Sequence, residues 1–344
     1  MKKEHPTVKR WVAAGIAVVI LGFQGLSTVW TMPKDEAKSS ISSLLGTEFG
    51  QGAKKEVIQG TNASERILYI PVSGVISDSS ASAFSTSLGY DHQTVLDAVK
   101  DATDDPTVKA IFLDVDSPGG STYASAELHD ALVAFKETKK APIYVSMGSM
   151  AASGGYYISA PADVIYATKE TLTGSIGVIM SGMNYTGLLT KLGIEPQVYK
   201  SAPMKDIGSS SRPQTEEERA VMQGLIDSSY ARFLKVVEEG RHMSREQLLP
   251  LADGRIFDGE QAKAVGLVDR IGYRDEALDA LIDDAKLEDP EVYTMTTNLS
   301  GFASLFSMKT HQSPLSQFTN LLKSYETDRI ARPMYMMPGG GLYE

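Results

Sequence analysis

Short apolar runs alternate with helical patterns from residue 65 onward, and this alternation constrains the fold of the 344-residue chain more than any other feature. The apolar runs carry few charges, as is typical of strands that are buried on both faces of a parallel sheet. Helices that connect parallel strands cross over the sheet and cover its faces. We therefore predict a layered α/β domain with parallel strands.

The same pattern predicts the individual elements. Helices are expected after Ser121, after Ser153 and over a long segment that begins at Thr215. Thr215 and Glu218 have the spacing of a capping box, and Ser121 is a candidate helix cap. After Pro290 the periodicity is lost, which predicts a mobile or partner-bound segment. Strands are predicted in the segments RILYIPVSGVI, VKAIFLDV, APIYVSMG, VIYATKE, SIGVIMSG and EPQVYKS.

A transmembrane helix is predicted over residues 11–31, ahead of the α/β domain. Residues 11–30 contain no charged side chain, and about 20 apolar residues of helix cross the hydrocarbon core of a bilayer. Trp11 and Trp30 lie at the two ends of this segment, where aromatic belts occur. Because residues 1–10 contain several basic side chains, the N-terminus is predicted to be cytoplasmic and the rest of the chain extracytoplasmic.

A cleaved signal peptide is the alternative for this N-terminal segment. Its apolar region would be Val12–Phe23, but no clear Ala-x-Ala site follows and the apolar stretch is long, which favours an uncleaved anchor. Beyond the anchor, residues 32–62 are rich in serine, glycine and charge, which predicts a linker. Residues 63–290 are predicted to form the folded domain, and residues 291–344 a C-terminal tail.

Charge and composition exclude several functional classes. The formal net charge is −10 and the pI is near 5.1, whereas nucleic-acid binding requires a basic surface. The chain contains no cysteine, which excludes disulfides, a thiol nucleophile and a thiolate metal site. No pattern in the sequence indicates a metal or another cofactor, so none is expected.

The segment AASGG contains the first candidate functional residue, Ser153, at a predicted strand-to-helix turn. Such a turn presents a rigid hydroxyl, and the N-terminus of the helix directs backbone N–H groups toward a developing negative charge. Small neighbours let a substrate backbone approach closely. This arrangement suits a nucleophile, although the G-x-S-x-G pattern is absent. An ordinary helix cap is the alternative.

A second glycine turn, DSPGGS, occupies residues 116–121 after another predicted strand. The N–H of Gly119 or Gly120 would pair with the N–H of Gly154 to form an oxyanion hole. An ordinary turn followed by a helix cap is the alternative. A phosphate cradle is disfavoured, because no Gly-Lys-Ser/Thr sequence follows the glycines.

A serine nucleophile needs a general base, and histidine is the first residue type to consider. No histidine lies between residues 130 and 241, the region that contains Ser153 and the strands after it. His129 stands beside Asp130 within a predicted helix and is expected to face solvent. The chain contains five histidines: His5, His92, His129, His242 and His311.

Lysine is the other candidate base. Its amine ordinarily has a pKa of about 10.4, but burial among apolar groups, away from carboxylates, disfavours the charged form. Lys205 lies among small residues after a predicted strand. Lys200 is its local alternative, and spacing alone does not choose between them. Because Asp206 is adjacent and would favour a charged amine, we expect its carboxylate to point away from Lys205.

Five motifs in this order resemble the short, single-domain form of the signal peptide peptidase A family: DSPGGS, GSMAASGGYYIS, TLTGSIGVIM, KSAPMKDI and ADGRIFDGEQAKAVGLVD. The resemblance runs from about residue 65 to residue 285, and the predicted anchor fits it. It implies a bacterial membrane-anchored serine peptidase with a crotonase/Clp-protease-like fold. No metal or other cofactor is implied.

The resemblance also implies roles for individual residues. Ser153 matches the nucleophile of a Ser/Lys dyad, and Lys205, rather than Lys200, matches the general base. Ser175 matches the serine that orients the lysine. Gly120, the second glycine of SPGG, and Gly154, the residue after the nucleophile, match the oxyanion donors. Gly119, which precedes Gly120, is the third candidate donor.

Substrate, assembly and location follow from the same resemblance. It implies degradation of signal peptide remnants and other extended apolar peptides outside the cytoplasm. It also implies a homo-oligomer, an octamer in the short form, whose Ser and Lys can come from neighbouring subunits. A tail that reaches its own or a neighbour's cleft is a hypothesis based on the segment MYMMPGGGLYE. The alternatives are a crotonase-type acyl-CoA enzyme and a noncatalytic membrane scaffold.

Overall fold

The computed structural model describes residues 54–78, 90–296 and 333–337. The predicted membrane anchor, residues 11–31, lies outside these ranges. Within them, no helix is both long and apolar enough to cross a membrane.

A mostly parallel sheet organises the described residues. Its strands follow the order β1-β10-β2-β3-β5-β6-β9, with β7 paired to β5 and β8 paired to β7. The pairs β1–β10 and β7–β8 are antiparallel, and the other pairs of this sheet are parallel. Strands β4 and β11 form a separate antiparallel pair. The strands are β1 (Lys54–Gln59), β2 (Asn62–Ser73), β3 (Val108–Ser117), β4 (Gly119–Ser121), β5 (Ile143–Ala152), β6 (Val164–Ala167), β7 (Leu172–Gly174), β8 (Ile256–Phe257), β9 (Arg270–Ile271), β10 (Pro290–Thr296) and β11 (Met334–Met336).

Helices connect these strands. Ser121 caps the helix after β4 through a hydrogen bond from the Ala124 N–H, and Thr215 and Glu218 form both hydrogen bonds of the predicted capping box. The described helices are α1 (His92–Asp104), α2 (Thr122–Lys139), α3 (Gly154–Ser159), α4 (Thr186–Lys191), α5 (Glu216–Arg241), α6 (Arg245–Leu248), α7 (Gly259–Ala264) and α8 (Arg274–Asp284).

The hydrophobic core has two layers, one on each face of the sheet. Strand β3 shows the alternation that separates them: Ile111 and Leu113 pack in the larger layer, whereas Ala110 and Phe112 pack in the smaller one. Helices α1, α2, α3 and α5 contribute to the larger layer and α8 to the smaller. Burial on both faces explains the continuous apolar strands of the sequence, and the predicted layered α/β domain is confirmed.

Two predicted strands are absent from the described residues. The segment SIGVIMSG leaves the sheet directly after β7, because Gly174 and Ser175 have φ values of 80° and 50°, which interrupt an extended chain. Only an isolated bridge between Ile179 and Met334 follows. The segment EPQVYKS has no strand to pair with and is exposed. These predictions were wrong because an apolar run forms a strand only where a partner edge is available.

Strand β10 lies in the segment that was predicted to lose regular structure after Pro290. It inserts between β1 and β2, with Val292 and Tyr293 buried in the core. Strand β1 likewise lies within the predicted linker, residues 32–62. Both strands are short and near the ends of the folded region, so the sequence carried little periodic signal for them.

The apolar stripe of helix α5 divides into two parts. Phe233 and Val237 are buried in the core, as core packing requires, but Val221 and Leu225 are about half exposed. The N-terminal half of this helix therefore presents apolar side chains to its surroundings.

The buried position of β10 leads to a stability prediction. Val292→Ala removes two methyl groups from a fully buried site and should lower the free energy of unfolding by about 2 kcal/mol. The matched control is Val57→Ala, on the neighbouring strand β1, whose side chain is half exposed. Urea unfolding followed by circular dichroism measures both. Equal effects of the two variants would contradict the placement of β10 inside the sheet.

Candidate active site

Ser153 occupies the turn between the end of β5 and the start of α3. Its φ of 53° and ψ of −111° are uncommon for a residue with a side chain, and such conformations concentrate at functional sites. The Ser153 N–H donates to the Gly174 carbonyl at 2.8 Å, and the Ser153 carbonyl accepts from the Tyr157 N–H at 2.8 Å. Backbone bonds on both sides therefore hold the turn.

The Ser153 hydroxyl does not serve as an ordinary helix cap. Among the described residues its side chain makes no capping hydrogen bond to α3, unlike the side chains of Ser121 and Thr215 at α2 and α5. The alternative interpretation of AASGG as a simple cap is therefore wrong. The helix N-terminus therefore does not use the Ser153 hydroxyl.

Ser175 lies next to Ser153 because of the strand register. Strands β5 and β7 are parallel and pair Ala152 with Gly174, so the two serines follow paired residues at the same edge of the sheet. Ser175 is also buried with a positive φ, of 50°, and its N–H donates to the Arg255 carbonyl at 2.8 Å. The structure thus brings together these two predicted site residues.

The predicted oxyanion glycines, Gly119, Gly120 and Gly154, lie beside the turn that carries Ser153. A Cβ on Gly119 would stand 2.6 Å from the Gly154 nitrogen, and a Cβ on Gly154 would stand 3.1 Å from the Gly119 Cα. A Cβ on Gly120 would stand 1.9 Å from the Ile76 carbonyl oxygen. The backbones approach so closely that only glycine fits at these positions. The DSPGGS turn and the start of α3 therefore form one cradle of backbone groups.

Ser125 is a neighbour of this cradle that the sequence did not single out. It lies on α2, is fully buried, and its Oγ has no hydrogen-bond partner among the described residues. The same Oγ would stand 2.7 Å from a Cβ on Gly154. The Ser125 hydroxyl therefore occupies the space that a larger residue at position 154 would need.

Strand β11 covers the glycine turn. It pairs antiparallel with β4, so that Tyr335 faces Gly120. The Tyr335 carbonyl oxygen stands 2.0 Å from a Cβ placed on Gly119 and 3.0 Å from one placed on Gly154. The chain's own Tyr335 carbonyl therefore lies against the backbone of Gly119 and Gly154. The hypothesis that the tail reaches the cleft agrees with the structure for the chain's own tail.

The Tyr335 side chain fills an aromatic pocket beside the cradle. Its ring stacks on Tyr157 at 4.8 Å between centroids and contacts Phe233 at 4.8 Å, and its hydroxyl donates to the Ser229 carbonyl at 3.0 Å. Burial raises the pKa of both Tyr335 and Tyr157, so both hydroxyls stay protonated. The pocket accepts a large apolar ring with one polar end.

Lys205 is not part of this cluster within one chain. It lies in the 3₁₀ turn Pro203–Asp206 and is exposed, and its side-chain amine forms no hydrogen bond or ion pair with any described residue. Only its backbone N–H is bonded, to the Ala202 carbonyl at 3.1 Å. As predicted, the Asp206 carboxylate points elsewhere, to Lys200 and Arg212. The structure therefore places Ser153, Ser175 and the glycines together and leaves Lys205 outside their cluster.

No histidine takes the place of a base in the described ranges. His92 contacts Tyr90 and Glu127, and no histidine nitrogen is hydrogen-bonded to Ser153. His129 was expected to face solvent, but its ring packs edge-on against Tyr157 with centroids 5.3 Å apart, so that expectation was wrong. In the same ranges, no group of three or more His, Asp and Glu side chains could hold a metal ion.

Known proteins share this sequence pattern. The family model for Peptidase family S49 matches residues 134–288. A protein of Enterococcus faecium, named as a signal peptide peptidase SppA, is 41% identical over 300 residues, or 86% of this chain and 87% of that protein. Protease 4 of Salmonella typhi is 41% identical over 195 residues, or 57% of this chain and 31% of that protein. The chloroplastic serine protease SPPA of Arabidopsis thaliana is 28% identical over 228 residues, 66% of this chain and 33% of that protein.

The chain belongs to peptidase family S49. The similarity to the Enterococcus protein extends over most of both chains, which supports an SppA-type peptidase. An S49 peptidase of this type is a serine protease, so the predicted family and enzyme class are confirmed. The S49 match includes Ser153, Ser175 and Lys205.

The position of β11 leads to a prediction about the tail. Truncation at Ala331 removes the strand that covers β4 and should raise activity on a fluorogenic peptide several-fold, because the Tyr335 carbonyl no longer competes for the glycine cradle. The control truncation removes residues 338–344 and keeps β11. Unchanged activity after the longer truncation would dismiss a role for the tail.

Proposed function

We propose that this S49 peptidase is a membrane-anchored serine endopeptidase that uses a Ser/Lys dyad. It degrades residual signal peptides and similar extended apolar peptides outside the cytoplasm. One observation carries the proposal. Ser153 is held in a strained strand-to-helix turn beside two glycine backbones, and its hydroxyl is not used as a cap. This is the arrangement that nucleophilic attack on a peptide carbonyl requires.

The proposed mechanism is acyl transfer. The neutral amine of Lys205 takes the proton of the Ser153 hydroxyl while the serine oxygen attacks the peptide carbonyl. The N–H groups of Gly120 and Gly154 stabilise the oxyanion. Lys205 then gives its proton to the leaving amine, and an ester forms on Ser153. The same amine activates a water molecule, which hydrolyses the ester. Ser175 orients Lys205.

The tail supports the proposed substrate class. A peptide in the position of β11 would be extended, would pair with β4 through its backbone and would insert an apolar ring beside Tyr157 and Phe233. Backbone pairing gives affinity without demanding a particular sequence. A relative's name, signal peptide peptidase, fits apolar peptides of this kind.

Assembly into a homo-oligomer, an octamer in this proposal, would complete the site. Lys205 is exposed in the single chain, and the same region carries unpartnered apolar side chains. Large exposed apolar patches mark interaction surfaces. In the assembly, Lys205 of one subunit would approach Ser153 of its neighbour. The exposed apolar residues are Ile179, Met183, Leu188, Leu192, Ile194, Val198, Val221 and Leu225.

The location and the finer fold class complete the proposal. Residues 11–31 anchor the chain in the bilayer, residues 1–10 stay in the cytoplasm, and the peptidase domain lies outside it. The mostly parallel sheet with its glycine cradle suits a crotonase/Clp-protease-like fold. The acyl-CoA alternative shares that fold, but it would require thioester binding and a cytoplasmic substrate.

The dyad is tested by labelling and by peptide hydrolysis. A fluorophosphonate probe should label the wild-type protein and should not label Ser153→Ala. Ser153→Ala and Lys205→Ala should each lose about 10³-fold or more in kcat, because nucleophile and base act as a unit. Lys100→Ala, an exposed lysine on α1, is the control and should keep wild-type activity.

The pH profile is part of the same test. Only the unprotonated amine is a base, so kcat should rise with pH as Lys205 loses its proton. A rate that is flat from about pH 6 to pH 10, or a Lys205→Ala variant with wild-type turnover, would contradict the Ser/Lys mechanism.

The shared site is tested by mixing inactive variants. If Ser153 and Lys205 act across a subunit boundary, co-assembled Ser153→Ala and Lys205→Ala chains should recover a measurable fraction of wild-type activity, because some boundaries combine an intact serine with an intact lysine. Each variant assembled alone is the control. Complete inactivity of the mixed oligomers would show that both residues come from one chain.

A further inference from the structure

The Asp206 carboxylate, next in sequence to the proposed base, is held by two cations. The Lys200 Nζ donates to Asp206 Oδ1 at 2.7 Å. Arg212 donates from Nη2 to Oδ1 at 2.7 Å and from Nε to Oδ2 at 2.9 Å. Arg212 also donates to the Asp206 backbone carbonyl at 3.2 Å. Both carboxylate oxygens are therefore occupied, one of them twice.

Arg212 is itself fixed to the start of helix α5. Its Nη1 donates to Glu218 Oε2 at 2.9 Å, and its Nη2 also contacts the Glu218 carboxylate. Glu218 is buried and accepts from the Thr215 N–H at 2.9 Å within the capping box. The chain of contacts thus ties the turn that carries Lys205 to a rigid helix end.

Pairing with cations changes what Asp206 can do. Hydrogen bonds from Arg212, and then from Lys200, hold the pKa of the Asp206 carboxyl well below its usual range, so it remains an anion. An anion next to a lysine amine favours the charged form of that amine. A charged amine cannot take the proton of a serine. A free Asp206 carboxylate would therefore oppose catalysis by Lys205.

We propose that Arg212 and Lys200 are positioning residues that hold the Asp206 carboxylate away from the Lys205 amine and so keep that amine available as a base. This inference rests on the proposed function of Lys205. Six charged side chains form the ion pairs of this segment: Lys200 before the turn, Asp206 on it, Arg212 after it, and Glu216, Glu218 and Arg219 at the start of α5. Each of the three carboxylates in these contacts, Asp206, Glu216 and Glu218, is paired with a partner other than Lys205.

The test is the pH dependence of kcat in the full-length oligomer. Arg212→Gln frees one carboxylate oxygen of Asp206 and should move the pH of half-maximal kcat upward by about one unit, the effect of an unscreened carboxylate near an amine. The double variant Asp206→Asn/Arg212→Gln lacks the anion as well and should return to the wild-type midpoint. Asp206→Asn alone should not raise the midpoint, since its side chain carries no charge.

Lys200→Gln provides a second variant if loss of Arg212 prevents folding, because the hydrogen bonds of the Lys200 amine to described residues go only to Asp206 and the Pro203 carbonyl. Its midpoint should rise by a smaller amount, since Arg212 still holds the carboxylate. An unchanged midpoint in Arg212→Gln, or in Lys200→Gln where the former does not fold, overturns the inference, as does an upward shift that persists in the double variant.

These outcomes are separable from failure of the proposed function. If Lys205→Ala is inactive but the midpoint does not move, only the role of Arg212 and Lys200 is lost. If Lys205→Ala remains active, the base itself has been misassigned, and the pH shift has no basis.

Discussion

The parallel register between β5 and its neighbours is the constraint on which the site depends. Pairing of Ala152 with Gly174 brings Ser153 and Ser175 to one edge of the sheet. Strand β3, on the other side of β5, ends in the turn that carries the glycines. Because carboxyl ends of parallel strands meet at one edge, three segments distant in sequence share one small volume. Close backbone approach at Gly119 and Gly154 then excludes any side chain from the cradle.

The covering strand β11 and the peptide substrate proposed above would use the same backbone edge. Strand β4 has an edge that can pair with an extended peptide, and in this structure the chain's own β11 pairs with it. An edge that pairs through backbone atoms does not select strongly among sequences. In the proposed function, selection would come from the pocket formed by Tyr157 and Phe233, which here holds Tyr335.

The two residues of the proposed dyad, Ser153 and Lys205, lie in different surroundings. On the serine side, small residues and glycine backbones lie around Ser153. The lysine side is a dense ionic network, yet its contacts bypass Lys205 and join Asp206 to Arg212 and Lys200. An amine can act as a base only where no anion holds its proton. In the proposed function, these contacts would keep the Asp206 carboxylate away from the Lys205 amine.

The sequence by itself determined the local features. Residue spacing predicted the layered α/β class, the capping box of Thr215 and Glu218, the cap at Ser121, and the turns around Ser153 and Gly120, because each depends on residues close together in the chain. Lys205 over Lys200 came from the family resemblance, since spacing did not separate them, and its role stays a prediction.

Tertiary structure decided what depends on a partner distant in sequence. The segments after Gly174 and before Lys200 did not become strands, because they join no sheet edge within the described ranges. The short segments β10 and β11 did become strands, because such edges were available. The hydroxyl of Ser125 and the bidentate contact of Arg212 are likewise invisible to periodicity. Hydrogen-bond pairing and close packing across the chain are satisfied only in the folded molecule, and so only the fold could assign them.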